Sequence, residues 1–84
     1  MTKDEIRAQV LAALAAVVPE LEPGELRPDR QFRDELDIDS MDFLNFTIGL
    51  HKALGIEIPE QDYRKLDTLN ACVDYVAAAL AGRK

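Results

Sequence analysis

The chain has 84 residues, enough for one compact core but not for two, so we expect a single domain spanning residues 1–84. Its 16 acidic and 10 basic residues give a formal net charge of −6, and an acidic surface of this kind argues against binding to nucleic acid or to anionic lipid. Hydrophobic residues make up 48% of the chain, alanine is plentiful, and β-branched residues are scattered without period-two runs, so the sequence predicts an all-α fold.

The chain has one cysteine and no long apolar run, and both facts restrict the kinds of site and the cellular compartment to be expected. Cys72 excludes an internal disulfide, and with His51 it makes no metal-binding set. We expect Cys72 to be a small buried residue of a helix. No stretch is long enough to span a membrane. The segment LAALAAVV (residues 11–18) follows Asp4 and Glu5, so an amphipathic helix explains it better than a signal peptide does. We therefore expect a cytoplasmic protein.

The first predicted helix runs from about Lys3 to Val18. Thr2 and Glu5 have the spacing of a capping box at its start, and Pro19 stops it. The apolar residues of its buried face recur at helical spacing and are Ile6, Val10, Leu14 and Val17.

The segment from Pro19 to Asp39 is predicted to be a long connection, because it contains Pro23, Gly24 and Pro28 and shows no sustained periodicity. Connections longer than about 15 residues are uncommon in compact domains and are usually functional or held against the core. Five apolar residues could hold this one: Leu21, Leu26, Phe32, Leu36 and Ile38.

The second predicted helix begins after a cap at Asp39 or Ser40 and ends at about Leu54, where Gly55 supplies a left-handed terminus. Its buried face consists of Phe43, Phe46, Leu50 and Leu54. Gly49 lies inside this helix at a cost of about 1 kcal/mol relative to alanine. That glycine indicates either close packing against another element or a tolerated substitution.

The C-terminal part is predicted to contain one short and one longer helix. Residues 56–58 form an extended link, and residues 59–66 form one or two helical turns with proline at the first position. Asp67 or Thr68 caps a last helix that runs to about Ala81. The buried face of that helix consists of Leu69, Val73, Val76 and Leu80. The predicted architecture is three longer helices plus one short helix.

A catalytic pair of Ser40 and His51 is not expected. On one helix these residues are eleven positions apart, roughly 16 Å at about 1.5 Å per residue, which exceeds hydrogen-bond reach. The chain also lacks a G-x-S-x-G elbow. We therefore expect His51 to face solvent or to contact a partner.

A calcium loop of the EF-hand type is not expected either. Asp37 and Asp39 could be its first and third positions, but the sixth would be Asp42 in place of glycine and the twelfth would be Ile48 in place of glutamate. The acidic cluster is then either a solvated cap or a loose, weak cation site. We expect no dedicated metal site.

The string FRDELDIDSMDFL (residues 32–44), followed by ALGIEIPE (53–60) and DTLNACVDYV (67–76), resembles the acyl carrier protein family. Members of that family have an Asp-Ser-Leu or Asp-Ser-Met tripeptide at the start of the second helix, which here is 39–41. The resemblance covers nearly the whole chain. It implies a four-helix acyl-carrier-like bundle with a short third helix and a long loop between the first two helices.

The resemblance implies that the cofactor-binding residues are Asp39, Ser40 and Met41. The hydroxyl of Ser40 would be esterified by 4′-phosphopantetheine, which a separate phosphopantetheinyl transferase takes from coenzyme A with Mg²⁺. The arm ends in a thiol that carries an acyl or aminoacyl group as a thioester. Asp39 and Asp42 would face the transferase or its metal, and Met41 would be an exposed docking contact. The residues support this independently, because a helix N-terminus favours a phosphodiester.

The implied function is that of a non-catalytic, monomeric carrier for enzymes of fatty-acid, polyketide or specialised lipid biosynthesis. Its implied partners are the transferase, a loading ligase or transferase, and downstream synthase enzymes. One alternative is a D-alanyl or aminoacyl carrier loaded by an adenylating ligase, and another is an unmodified helical interaction domain. Phe43, Phe46 and Leu50 could also line the space in which carriers of this type shelter an acyl chain, in addition to packing in the core.

The chain departs from the common pattern of the family in two places. Many carriers have glycine two or three residues before the serine, where this chain has Asp37 and Ile38; aspartate tolerates left-handed backbone better than most residues. Fatty-acid carriers typically have a glutamate-rich outer face on the second helix, whereas this chain offers Asn45, His51 and Lys52 with a single acid. We therefore expect a specialised carrier.

Overall fold

Four α-helices and one 3₁₀ helix make up the secondary structure of the computed structural model, which describes residues 2–22, 24, 26–36 and 38–82. The helices are α1 (Lys3–Val17), α2 (Phe32–Leu36), α3 (Ser40–Leu54), the 3₁₀ helix (Glu60–Leu66) and α4 (Leu69–Ala81). Within the described ranges there is no strand, only an isolated antiparallel bridge between Gln31 and Thr68. The all-α prediction is confirmed. Helix α1 packs against both α3 and α4, and α4 also packs against the 3₁₀ helix.

The predicted helix caps largely occur as expected. The Thr2 hydroxyl accepts a hydrogen bond from the backbone N–H of Glu5 at 3.2 Å, and the Glu5 carboxylate accepts one from the backbone N–H of Thr2 at 3.0 Å. At α4 the cap is Thr68, whose hydroxyl accepts from the backbone N–H of Ala71 at 3.0 Å. Gly55 ends α3 with a φ of 66°, the left-handed conformation that favours glycine.

The apolar faces predicted from periodicity meet in one core. Helix α3 is anchored by Phe46 and Leu50, which are completely buried, and α4 by Val76. The only members of the predicted stripes that remain partly exposed are Val17 and Leu80. The buried stripe residues are Ile6, Val10, Leu14, Phe43, Phe46, Leu50, Leu54, Leu69, Val73 and Val76.

Helix α2 lies in the long connection, where no helix was predicted, so it is an addition to the predicted three longer helices and one short helix. The backbone carbonyl of Gln31 accepts hydrogen bonds from the N–H groups of Asp34 at 3.1 Å and Glu35 at 3.0 Å, which closes a single helical turn. Five residues are too few to show a helical period. Pro23 and Asp37, to which the sequence assigned turns, lie outside the described residues.

The long connection is held against the start of α4, as its apolar residues predicted. The backbone N–H of Phe32 donates to the carbonyl of Asp67 at 2.8 Å, and that of Asn70 donates to the carbonyl of Pro28 at 3.0 Å. The five predicted contacts are all made: Leu26, Phe32 and Ile38 are buried, and Leu21 and Leu36 are half-buried against the core. The chain therefore enters α3 from a fixed position.

The segment 59–66 differs slightly from its prediction. It is a 3₁₀ helix that begins at Glu60, and Pro59 precedes it with extended backbone (φ −66°, ψ 148°) instead of occupying its first turn. Leu66 is the buried anchor of this helix. Its seven residues pack against α4.

Candidate functional site

Ser40 is the first residue of α3 and is exposed. The cap of the helix is Asp39: its Oδ1 accepts a hydrogen bond from the backbone N–H of Asp42 at 2.9 Å, and its carbonyl accepts from that of Phe43 at 3.0 Å. Because Asp39 fills the capping role, the hydroxyl of Ser40 is not needed for it. Within the described part of the chain, that hydroxyl makes no hydrogen bond, so it is left available to an incoming reagent.

The first turn of α3 fits a phosphodiester at Ser40. The backbone N–H groups of the first turn of a helix have no partners within the helix, and here only that of Asp42 is taken up by the cap. Those of Ser40 and Met41 remain, at the end of the helix where the partial positive charge of the dipole lies. They can donate to phosphate oxygens attached at the Ser40 hydroxyl.

An apolar stripe runs along the outer face of α3 from the same end. The exposed fraction is 64% for Met41, 39% for Leu44 and 41% for Ile48, and the three residues share one face at i, i+3 and i+7. Met41 is thus exposed, as expected. The sequence analysis missed Leu44 and Ile48, although their helical spacing from Met41 could have identified them.

The charges around this stripe are mixed. Asp39 is exposed and Asp42 is half-buried beside Ser40, whereas His51 and Lys52 are exposed at the opposite end of α3. Asn45, between the two ends, is also exposed. The outer face of α3 is therefore acidic only at its first turn.

His51 and Ser40 do not form a catalytic pair. They lie in the last and first turns of the same 15-residue helix. The Nδ1 atom of His51 lies 2.5 Å from the carbonyl oxygen of Ile56, and since a carbonyl can only accept, Nδ1 carries the proton. His51 thus fastens the end of α3 to the link that follows it.

Metal binding finds no support in the geometry. Among the described residues, no three His, Cys, Asp or Glu side chains come together as a metal-ion site. Asp37, the first position of the rejected calcium loop, lies outside those residues.

Aromatic side chains line the inner side of α3. The ring centroids of Phe32 and Phe46 are 5.7 Å apart, those of Phe43 and Phe46 are 5.9 Å apart, and those of Phe43 and Tyr63 are 5.8 Å apart. The contacts connect α2, α3 and the 3₁₀ helix into one row. The row runs from Phe32 through Phe46 and Phe43 to Tyr63, and Phe43 is one helical turn after Ser40.

Cys72 lies on the buried face of α4, as predicted, and is completely buried. Burial disfavours the thiolate and raises the pKa of this thiol to about 12. A thiol with so high a pKa is a poor nucleophile at neutral pH. The residue is a packing element of the core.

The chain is similar to known proteins over most of its length. The family model for the phosphopantetheine attachment site matches residues 9–76. The acyl carrier protein of Micrococcus luteus is 32% identical over 78 residues, covering 89% of this chain and 96% of that protein. The acyl carrier protein of Tropheryma whipplei is 35% identical over 78 residues, covering 89% and 95%. The meromycolate extension acyl carrier protein of Mycolicibacterium aurum is 32% identical over 71 residues, covering 81% and 73%.

The fold is also similar to that of a known acyl carrier protein. A solved structure of the acyl carrier protein from Enterococcus faecalis superposes with a TM-score of 0.78 at 26% identity, and the match covers 94% of this chain and 99% of that one. None of the helices in the described part of the chain combines the length and the hydropathy needed to cross a bilayer.

Proposed function

Because the chain belongs to the acyl carrier protein family, whose members carry acyl groups on covalent 4′-phosphopantetheine and are not catalysts, we propose that Ser40 is its attachment residue. The observation that carries this proposal is that the helix cap and the exposed hydroxyl at the start of α3 belong to two different residues, Asp39 and Ser40. Asp39 caps the helix, which leaves the hydroxyl of the adjacent serine exposed and without a structural role. Ser40 is also the single serine of the chain.

The attachment step needs little from the carrier itself. The Ser40 Oγ attacks the phosphorus atom next to the pantetheine part of coenzyme A, an O–P bond forms, and the P–O bond within the diphosphate breaks. The nucleotide bisphosphate leaves with the electron pair, and a base on the transferase takes the hydroxyl proton. The backbone N–H groups of Ser40 and Met41 are suited to receive the resulting phosphodiester. The attached arm supplies a terminal thiol on which the acyl group is carried as a thioester.

The neighbours of Ser40 have separate roles in this proposal. Asp39 fixes the first turn of α3 and directs a negative charge toward the transferase or its metal. Met41, the most exposed residue of the apolar stripe, is a docking contact for enzymes that act on Ser40. Exposed methionine is well suited to this because its flexible, polarizable side chain adapts to different partner surfaces.

The partners we propose are a phosphopantetheinyl transferase, a ligase or transferase that loads the acyl group, and downstream synthase enzymes. The outer face of α3 has Asn45, His51 and Lys52 at exposed positions, so an enzyme that recognises a fully acidic helix should bind this carrier weakly. This supports a specialised carrier. A monomeric carrier in a reducing cytoplasm remains our prediction, in line with a single cysteine that is buried.

A second candidate is an aminoacyl carrier loaded by an adenylating ligase. The Asp-Ser-Met tripeptide (residues 39–41) and the Ile-Glu-Ile-Pro link (residues 56–59) favour it, because both resemble those of D-alanyl carriers. The two candidates share the attachment at Ser40 and differ in the loading enzyme.

The test is the intact mass of the full chain after incubation with coenzyme A, Mg²⁺ and a broad-specificity phosphopantetheinyl transferase, followed by reduction. We expect one phosphopantetheine adduct on the wild type and on Cys72→Ala, and none on Ser40→Ala. The Cys72→Ala control excludes a mixed disulfide with coenzyme A. A folded wild type that gains no adduct would contradict the proposal and favour an unmodified interaction domain.

A further inference from the structure

Tyr63 lies between two cavities on the surface of the bundle. The first has a volume of about 340 Å³, and its lining includes Phe43, Tyr63 and Arg64. The second has a volume of about 390 Å³, and its lining includes Ile48, Ile58 and Tyr63. Tyr63 is the one described residue that lines both, so the two cavities adjoin at this residue, and we take its ring as the partition between them. We call these the proximal and the distal cavity.

The partition is held in place by Phe43. The two rings meet edge to face, with centroids 5.8 Å apart and an interplanar angle of 66°, which is a favourable geometry for an aromatic pair. Phe43 is itself buried and packs against Phe46. Tyr63 is half-buried. The ring that divides the cavities is thus supported from the core side and accessible from the surface.

The proximal cavity is the nearer one to Ser40 along the helix. Phe43 follows Ser40 by three residues, on the same side of α3 and about 4.5 Å along its axis. The first α3 residue of the distal cavity is Thr47, seven residues after Ser40 and about 10.5 Å along the axis. Along the axis of α3, a group attached at Ser40 is therefore nearer to the proximal cavity than to the distal one.

The lining of the proximal cavity suits the end of an acylated arm. Phe32, Phe43 and the ring of Tyr63 supply apolar surface. The polar groups come from Gln31, Arg64 and Asp67. Sites for small ligands commonly combine an apolar wall with a few polar groups that fix orientation.

We propose that Tyr63 determines the chain length this carrier can shelter: the proximal cavity holds a short acyl group attached through Ser40, and the ring of Tyr63 closes the way into the distal cavity. The inference rests on the attachment proposed at Ser40. It assigns short acyl groups as the cargo that the protein protects, and it leaves longer chains exposed to solvent beyond the partition.

The experiment loads the full chain with acyl-pantetheine from acetyl-, butyryl-, hexanoyl-, octanoyl- and decanoyl-coenzyme A by means of a broad-specificity transferase. Intact mass reports loading, and the rate of thioester cleavage by hydroxylamine reports shelter. Each further methylene that is sheltered should slow cleavage by about four-fold. In the wild type we expect protection to rise from acetyl and to level off between butyryl and octanoyl.

In Tyr63→Ala the levelling point should move to longer chains, because removal of the ring joins the two cavities. Tyr63→Leu serves as a second variant that retains apolar packing if the first does not fold. Tyr63→Phe, which keeps the ring, is the control and should level off with the wild type, so the two variants that remove the ring are Tyr63→Ala and Tyr63→Leu.

The outcomes are distinguishable. Equal profiles in the wild type and in the two variants that remove the ring, protection that rises through decanoyl in the wild type, or no protection at any length would each overturn the role of Tyr63 while Ser40 loading stands. Failure of the wild type to gain mass would instead overturn the attachment at Ser40, and with it this inference.

Discussion

The phenolic hydroxyl of Tyr75 donates a hydrogen bond to Oδ2 of Asp62 at 2.7 Å, which joins α4 to the 3₁₀ helix. The bond lowers the pKa of the Asp62 carboxyl below its usual value of 3.8, and the Lys65 ammonium at 3.3 Å adds to the effect. The pKa of Tyr75 is raised to about 12, mainly by burial and to a smaller extent by the bond to Asp62. The pKa values of Asp62 and Tyr75 therefore differ between the folded and the unfolded protein, one in the acidic range and the other in the alkaline range.

Stability should fall at both ends of the pH scale because of this pair. The lowered pKa of Asp62 gives a contribution that is present above pH 3.8 and is lost as the pH falls through the folded value. The raised pKa of Tyr75 gives one that is present below pH 10 and is lost as the pH rises toward 12. In Tyr75→Phe both losses should shrink, because the tyrosine no longer titrates and the pKa of Asp62 moves back toward its unfolded value. Urea midpoints across the pH range measure both, and a variant with a wild-type profile would contradict the assignment.

Asp39→Ala should destabilise the folded protein by about 1 kcal/mol, because the first turn of α3 loses its side-chain acceptor. Asp39→Asn keeps a capping oxygen and should stay close to the wild type. Urea unfolding at neutral pH compares the three proteins. If both variants lose the same stability, the charge of Asp39 and not its capping bond matters to the fold.

Gly49→Ala should stabilise the protein by roughly 0.5–1 kcal/mol, because alanine is the better helix former. A Cβ at this position would meet the Cβ of Ala13 at 3.7 Å, an ordinary van der Waals distance. Of the two interpretations drawn from the sequence, the geometry therefore favours a tolerated glycine. Thermal unfolding gives the result, and a destabilised variant would mean that α1 and α3 approach more closely than this distance implies.

Acidic residues on the outer face of α3 should make the carrier acceptable to fatty-acid enzymes. We expect Asn45→Glu combined with Lys52→Glu to raise the rate of loading by a fatty-acid malonyl transferase by about five-fold at low salt, with the gain lost as salt screens it. Arg7→Glu, which changes an exposed charge on α1, is the control for net charge. Efficient loading of the unmodified carrier would argue against a specialised partner set.

Local patterns predicted most of the fold. The spacing of Phe43, Phe46 and Leu50 identified the buried face of α3, and the left-handed terminus at Gly55 followed from glycine chemistry. Helix α2 could not be predicted, because it is one turn long and depends on contacts of the connection with residues far along the chain, such as the bond from Phe32 to Asp67. Capping propensity could not decide between Asp39 and Ser40 as the cap of α3, because aspartate and serine are nearly equal in preference at that position.

The sequence could likewise predict part of the candidate site but not all of it. A short motif in its helical context was enough to propose Ser40 and Met41 as site residues. The partition at Tyr63 could not, because Phe43 and Tyr63 belong to different helices and their contact arises only when α3 and the 3₁₀ helix pack together. Cavities are properties of packing, so no local pattern reports them.

The complete burial of Cys72 has a consequence for the cargo. A thioester can pass to any accessible thiolate, so a reactive cysteine on the carrier would capture the acyl group from its own arm. With its pKa at about 12 and no exposure to solvent, Cys72 cannot act as that acceptor. The acyl group is therefore not lost from the arm to Cys72. A maleimide or a disulfide reagent would react only with the thiol of the arm on the folded protein.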